Sequence, residues 1–87
     1  MKEVWLKCDV SKGMFPGESG ASFMAENGES ISLFCPEKYV DKNDGRLKVR
    51  IVDDSSPVIV IRLPSESLNG TKIVRVPRDQ VNELQSA

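Results

Sequence analysis

The chain turns on the stretch Arg46-Leu47-Lys48-Val49-Arg50-Ile51-Val52-Asp53-Asp54-Ser55-Ser56-Pro57-Val58-Ile59-Val60-Ile61-Arg62-Leu63. Leu47, Val49 and Ile51 alternate with Arg46, Lys48 and Arg50, the period of two that sets one face of a strand on a core and the other in water. Asp53 to Pro57 is a polar connection ending in proline, and Val58–Leu63 after it is apolar at every position except Arg62. Folding the two runs together predicts a hairpin in which Ile51 meets Ile59, Val49 meets Ile61 and Leu47 meets Leu63. The large aliphatic pairs then share one face. The other face carries Val52, Val58 and Val60, bordered by Arg46, Lys48, Arg50 and Arg62. A slip of one residue would turn Arg62 into the core, so burial itself selects the face. The apolar richness of Val58–Leu63 also fits a strand covered on both sides.

The same grammar extends outward. Val4, Leu6, Cys8 and Val10 alternate with Trp5, Lys7 and Asp9, which predicts a strand over residues 3–10. Ser11 to Gly20 holds three glycines and a proline and reads as a loop, with Met14 and Phe15 closing one end of the fold. Asn27-Gly28 predicts a two-residue type I′ hairpin turn, because both central positions of that turn need positive φ. It pairs Met24 with Ile31 and Ser22 with Leu33 on one face, and Phe23 with Ser32 and Ala21 with Phe34 on the other. Asn43-Asp44-Gly45 is a second turn, and a further strand is predicted at Thr71–Val76. Pro77 ends it for want of a ladder donor, and Arg78-Asp79-Gln80-Val81 reads as a short 3₁₀ or helical turn. Six strands with almost no helix predict an all-β fold, a small antiparallel barrel of about five to six strands or two orthogonally packed sheets. Eighty-seven residues allow a single domain, 1–87, with a frayed tail at 85–87.

Composition narrows the function classes. The chain has no histidine, which removes the commonest general base near neutral pH and the commonest imidazole metal ligand. Cys8 and Cys35 are too few for a disulfide scaffold and too far apart for a Cys-x-x-Cys site; both read as reduced core residues, a bridge arising only on export. Neither has a histidine to activate it, and the carboxylates sit at turns and strand edges rather than as a separated pair in a cleft. The expectation is a protein that is not an enzyme and takes no cofactor or metal. Asp41-Lys42-Asn43-Asp44-Gly45 fails as a calcium loop, its glycine one position early and Val52 in the place of the terminal glutamate. Asn69-Gly70-Thr71 fits the glycosylation pattern, but with no export signal it reads as a turn. No apolar run approaches the 18 residues of a membrane span, so the expected location is cytoplasmic and no membrane partner is expected.

Charge is uneven. Residues 1–45 carry five basic and eight acidic side chains, whereas 46–81 carry seven basic and four acidic. A basic half can steer an anionic partner even when the net charge is −1. An echo also runs through the chain. A strand, Asn27-Gly28, a strand and Pro36-Glu37-Lys38-Tyr39-Val40 are followed later by a strand, Asn69-Gly70, a strand and Pro77-Arg78-Asp79-Gln80-Val81, with the prolines 41 residues apart. Two short matches fall below what establishes a repeat.

Val76-Pro77-Arg78-Asp79-Gln80-Val81 resembles the closing segment of Src-homology-3 barrels, where a strand ends in proline, makes a 3₁₀ turn and returns an apolar residue to the core. Phe34-Cys35-Pro36-Glu37-Lys38-Tyr39-Val40 is similar, and the resemblance places Tyr39 where that family keeps a ligand-contacting tyrosine. The chain lacks the family's Ala-Leu-Tyr-Asp-Tyr opening and paired tryptophans. The resemblance therefore implies an SH3-like small-barrel topology and no peptide-binding function.

The expected role is a protein-interaction or assembly module, with an unidentified protein or a second copy as partner in a homodimer. Its contact surface is Val52, Val58 and Val60 with Arg50 and Arg62, a face more apolar than water favours. The alternative is binding of RNA or DNA through the basic face of Arg46, Lys48, Arg50, Arg62 and Arg75, with Phe23, Phe34, Trp5 or Tyr39 for stacking where one lies on the same side.

Overall fold

Alternation along the chain produces nine strands among the residues described by the computed structural model, which are 2–55 and 57–83. They are β1 (Glu3–Lys7), β2 (Asp9–Lys12), β3 (Glu18–Met24), β4 (Ser30–Pro36), β5 (Val40–Asp41), β6 (Arg46–Asp53), β7 (Val58–Arg62), β8 (Ile73–Pro77) and β9 (Val81–Glu83). Two 3₁₀ turns, Glu37–Tyr39 and Arg78–Gln80, precede β5 and β9. The fold is all-β and antiparallel, in two sheets: one ordered β8-β7-β6-β1-β9 with β5 also on β6, the other β2-β3-β4. No ladder closes either sheet into a barrel among the described residues. The strand count exceeds the sequence expectation because the first run divides at Cys8, which leaves one sheet for the other, and because each 3₁₀ turn delivers a short strand. Ser56 and the tail at 85–87 lie outside the described residues.

The core lies between the sheets, where Val4, Leu6, Leu33, Leu47, Val49, Ile59, Ile61, Leu63 and Val76 are almost wholly buried. Each such side chain stabilises the fold by about 1.5–3 kcal/mol. The buried aliphatic face of the 46–63 hairpin is the expected one, but its register is two residues away. Ile51 pairs with Ile61 and Arg50 with Arg62, and an irregularity between Ile51 and Asp53 precedes Asp53 opposite Val60. A shift of two keeps every side chain on its face, so alternation alone does not distinguish the two pairings.

The Asn27-Gly28 hairpin differs by one residue, which turns β3 over while Ile31 and Leu33 of β4 stay in the core as expected. Phe23 pairs with Ile31, Ala21 with Leu33 and Ser22 with Ser32, so Phe23 enters the core and Met24 is 61% exposed. The turn is not type I′, since Gly28 has φ 85° while no residue other than glycine has positive φ. Instead Gly28 N–H donates to Ala25 O at 3.0 Å and Ala25 N–H to Glu29 O at 2.8 Å, the three-residue loop whose last position is left-handed. One extra loop residue moves the register by one. Met14 and Phe15, expected to close an end of the fold, are instead 71% and 68% exposed on the β2–β3 loop.

The echo of the sequence extends through the pairing. Leu6 pairs with Leu47, and positions 41 apart behave alike around that pair. Val40 meets Leu47 as Val81 meets Leu6, and Asp41 meets Arg46 as Asn82 meets Trp5. Each of the five β7–β8 pairs has a β3–β4 counterpart, from Val58–Pro77 matching Glu18–Pro36 to Arg62–Ile73 matching Ser22–Ser32. Both 3₁₀ turns hang from an extended proline, with φ −56° and ψ 137° at Pro36 and φ −63° and ψ 143° at Pro77. Each is anchored across its hairpin, Glu37 N–H to Gly17 O at 2.9 Å and Arg78 N–H to Pro57 O at 3.1 Å. The pairing pattern thus repeats across the chain, with a local dyad through Leu6 and Leu47.

Candidate functional site

The larger sheet turns one face to the core and the other outward, and pairing assembles the outer one. Trp5 lies opposite Lys48, Lys7 opposite Arg46, Arg50 opposite Arg62, and Val60 opposite Arg75. All five residues of the predicted basic face therefore lie across three neighbouring strands. They are not equivalent. Arg46 is engaged: its Nη2 donates to Asp41 Oδ2 at 2.6 Å and stands 3.2 Å from Asp44 Oδ2. Its guanidinium also lies over the Trp5 ring at 4.9 Å, and Lys48 Nζ lies 5.5 Å from the same ring. The Arg46 guanidinium holds the Asp41 carboxyl below its ordinary range, helped by the N–H groups of Asp44 and Asn43.

Arg50 and Arg62 are directly opposed and exposed. Like charges in facing positions of a sheet repel, by about 1 kcal/mol at 5 Å in bulk water and more where water is excluded. Neither they nor Lys72 has an ion-pair partner among the described residues. These three cations and Lys48 converge on a groove of about 220 Å³ that Tyr39 also lines, with Glu3 as its one acidic member. The groove exists because β6 pairs with β5 at Arg46 and Leu47 and with β7 only from Arg50 onward. Between those pairings the edge of β6 has no paired strand among the described residues, and the cations stand around the gap.

The dyad repeats the gap on the other half of the molecule. A groove of about 170 Å³ is lined there by Lys7, Asp9, Ser22 and Gln80, together with Cys8, Phe23 and the exposed Met24. Pairing matches the first three positions to Lys48, Arg50 and Arg62, and Gln80 matches Tyr39 as the last residue of its 3₁₀ turn. One groove is strongly basic and the other nearly neutral, on one backbone plan.

Among the predicted contact valines, Val52 is 45% exposed, as is Ile73 beside Arg62, whereas Val58 and Val60 are half-buried. Both cysteines are free, Cys35 buried and Cys8 half-buried. Burial pushes the Cys8 thiol up to about 11, with Asp9 and Cys35 adding to it, and burial followed by Glu18 raises Cys35. Protonated thiols at neutral pH are poor nucleophiles. No group of three His, Cys, Asp or Glu side chains is placed to hold a metal ion, and no helix is long and apolar enough to cross a membrane, among the described residues.

Sequence reasoning found Arg50, Arg62 and Lys48 by alternation, and named Tyr39 both through the resemblance and as one of four aromatic candidates for stacking. It missed Lys72, whose place beside Leu63 follows from a long-range hydrogen bond, Leu63 N–H to Lys72 O at 2.8 Å. Comparison with protein-family models, with curated proteins and with solved structures finds no match to this chain.

Proposed function

We propose that this chain is a non-catalytic binding module whose partner is single-stranded nucleic acid, held on the outer face of the larger sheet. The observation that carries the reading is the row of cations, Lys48, Arg50, Arg62 and Arg75, spread over β6, β7 and β8 with Trp5 beside it on β1. Adjacent strands lie about 4.8 Å apart, so the cations reach across roughly 10 Å of sheet and, with Trp5 on β1, the face spans roughly 14 Å, enough for a few nucleotides. Phosphates meet the cations and a base meets an aromatic ring, which gives affinity with little sequence choice. Arg46 serves a different purpose in this reading, orienting Trp5 while tied to Asp41.

The test is titration with an oligouridylate decamer at two salt concentrations. Binding that weakens as salt rises, and that is lost on charge reversal at Lys48, Arg50 and Arg62, is the expected result. No binding at low salt defeats it.

A second reading, association with a protein or with a second copy, is favoured by the 45% exposure of Val52 and of Ile73 on the same face. It expects Val58→Lys with Val60→Lys to abolish assembly while the fold persists. The two proline-led 3₁₀ turns support a Src-homology-3-like kinship in the closing element of a small barrel. That kinship brings no peptide ligand with it, and the binding proposal does not depend on it.

A further inference from the structure

We infer that the Tyr39 groove is a seat for one phosphate group, built in the second half of the chain and absent from its counterpart in the first. The inference rests on the nucleic-acid reading and narrows it to a single groove. The backbone plan does not require the cations, because Asp9 and Ser22 occupy the positions of Arg50 and Arg62 in the matching groove. Nor does local electrostatics favour them. Arg50 faces Arg62 on one side and Glu3 on the other, with Lys48 and Lys72 at the same groove, so among the described residues one lining carboxylate stands against four cations.

The one carboxylate of Glu3 leaves most of the positive charge of the four cations unbalanced, which favours an anionic ligand between them. Arginine presents paired N–H donors in a planar fork that matches phosphate oxygens, and charge-assisted bonds of that kind are about twice as strong as neutral ones. The groove, at about 220 Å³, is smaller than the 300–1,000 Å³ typical of pockets that enclose drug-sized ligands. It suits a phosphate with part of the attached sugar or base, and Tyr39 supplies an aromatic wall.

The experiment is a ¹H–¹⁵N titration of the full chain with inorganic phosphate at constant ionic strength. Saturable shifts centred on Tyr39, Lys48, Arg50, Arg62 and Lys72, at one phosphate per chain, are expected. Shifts of equal size around Lys12, Arg75 and Arg78, or none that saturate, overturn the inference. Arg50→Asp with Arg62→Ser gives the groove the chemistry of its counterpart and is expected to weaken phosphate binding at least tenfold. Arg50→Lys with Arg62→Lys keeps the charge and loses the forks, so an intermediate affinity is expected. Unchanged affinity in the first variant overturns the inference.

Oligouridylate with and without a 5′-phosphate separates the two sources of the group. Tighter binding of the phosphorylated strand assigns a chain end to the seat, and equal binding assigns an internal phosphodiester. Phosphate bound at the groove with no oligonucleotide binding keeps the seat and removes the nucleic-acid reading. Oligonucleotide shifts on Trp5 and Arg75 that leave the groove silent do the reverse.

Discussion

The two grooves flanking the Leu6–Leu47 pair share a backbone plan and differ in chemistry. In the first half, Ser22 pairs with Ser32 through a 2.9 Å hydroxyl contact; in the second, Arg62 stands at the matching position opposite Ile73. What remains alike between them is demanded by the fold. Proline at the strand end, valine after the 3₁₀ turn and a leucine on the dyad satisfy backbone geometry and packing in both halves. What differs is not so demanded, and the opposed arginines are the clearest case because they carry an electrostatic cost.

The largest expected effect tests the dyad itself. Leu6→Ala and Leu47→Ala each remove a fully buried side chain, and each is expected to cost about 2–5 kcal/mol in urea unfolding. Losses that differ by more than about 2 kcal/mol would mean that the two halves do not share the core evenly. A smaller effect of opposite sign is expected at Ser19, whose buried hydroxyl has no hydrogen-bond partner among the described residues. Its pairing with Cys35 corresponds to that of Ile59 with Val76. Ser19→Ala removes an unsatisfied polar group and is expected to raise stability by about 1 kcal/mol.

Smaller again is the gain from Arg62→Ser. Relieving the facing charges is expected to raise stability by roughly 0.2–1 kcal/mol, measured by urea unfolding, while the same variant loses phosphate affinity. A variant less stable than the parent would show that Arg62 supports the fold, which would break the contrast between the grooves.

The smallest effect concerns Asp41, whose counterpart across the dyad is Asn82. With its carboxyl held below the ordinary range by Arg46, Asp41 favours the folded state above the unfolded pKa of about 3.9. That contribution is lost as pH falls through the lowered folded value. The stability difference between the parent and Asp41→Asn is therefore expected to be constant near neutrality and to vanish in acid. A difference that persists in strong acid would sink the assignment.

The amino-acid pattern alone determined that the protein is all-β, where most of its turns fall, which face of 46–63 is buried and that Pro77 leads into a 3₁₀ turn. Those features follow from period-two alternation and from the φ restrictions of glycine and proline, which act over a few residues. Tertiary structure decided the registers, the partition of the first strand at Cys8, the exposure of Phe15 and the gathering of Tyr39 and Lys72 with Arg50 and Arg62. A shift of two residues leaves alternation intact, and a hairpin loop longer by one is settled by which face finds a core. The groove is a gap between pairings of β6 with two other strands, so its residues come from as far apart as Glu3 and Lys72 and no local signal announces them. Whether a cation on a strand is solvated or belongs to a site depends on what stands opposite it, and pairing across the sheet supplies that neighbour.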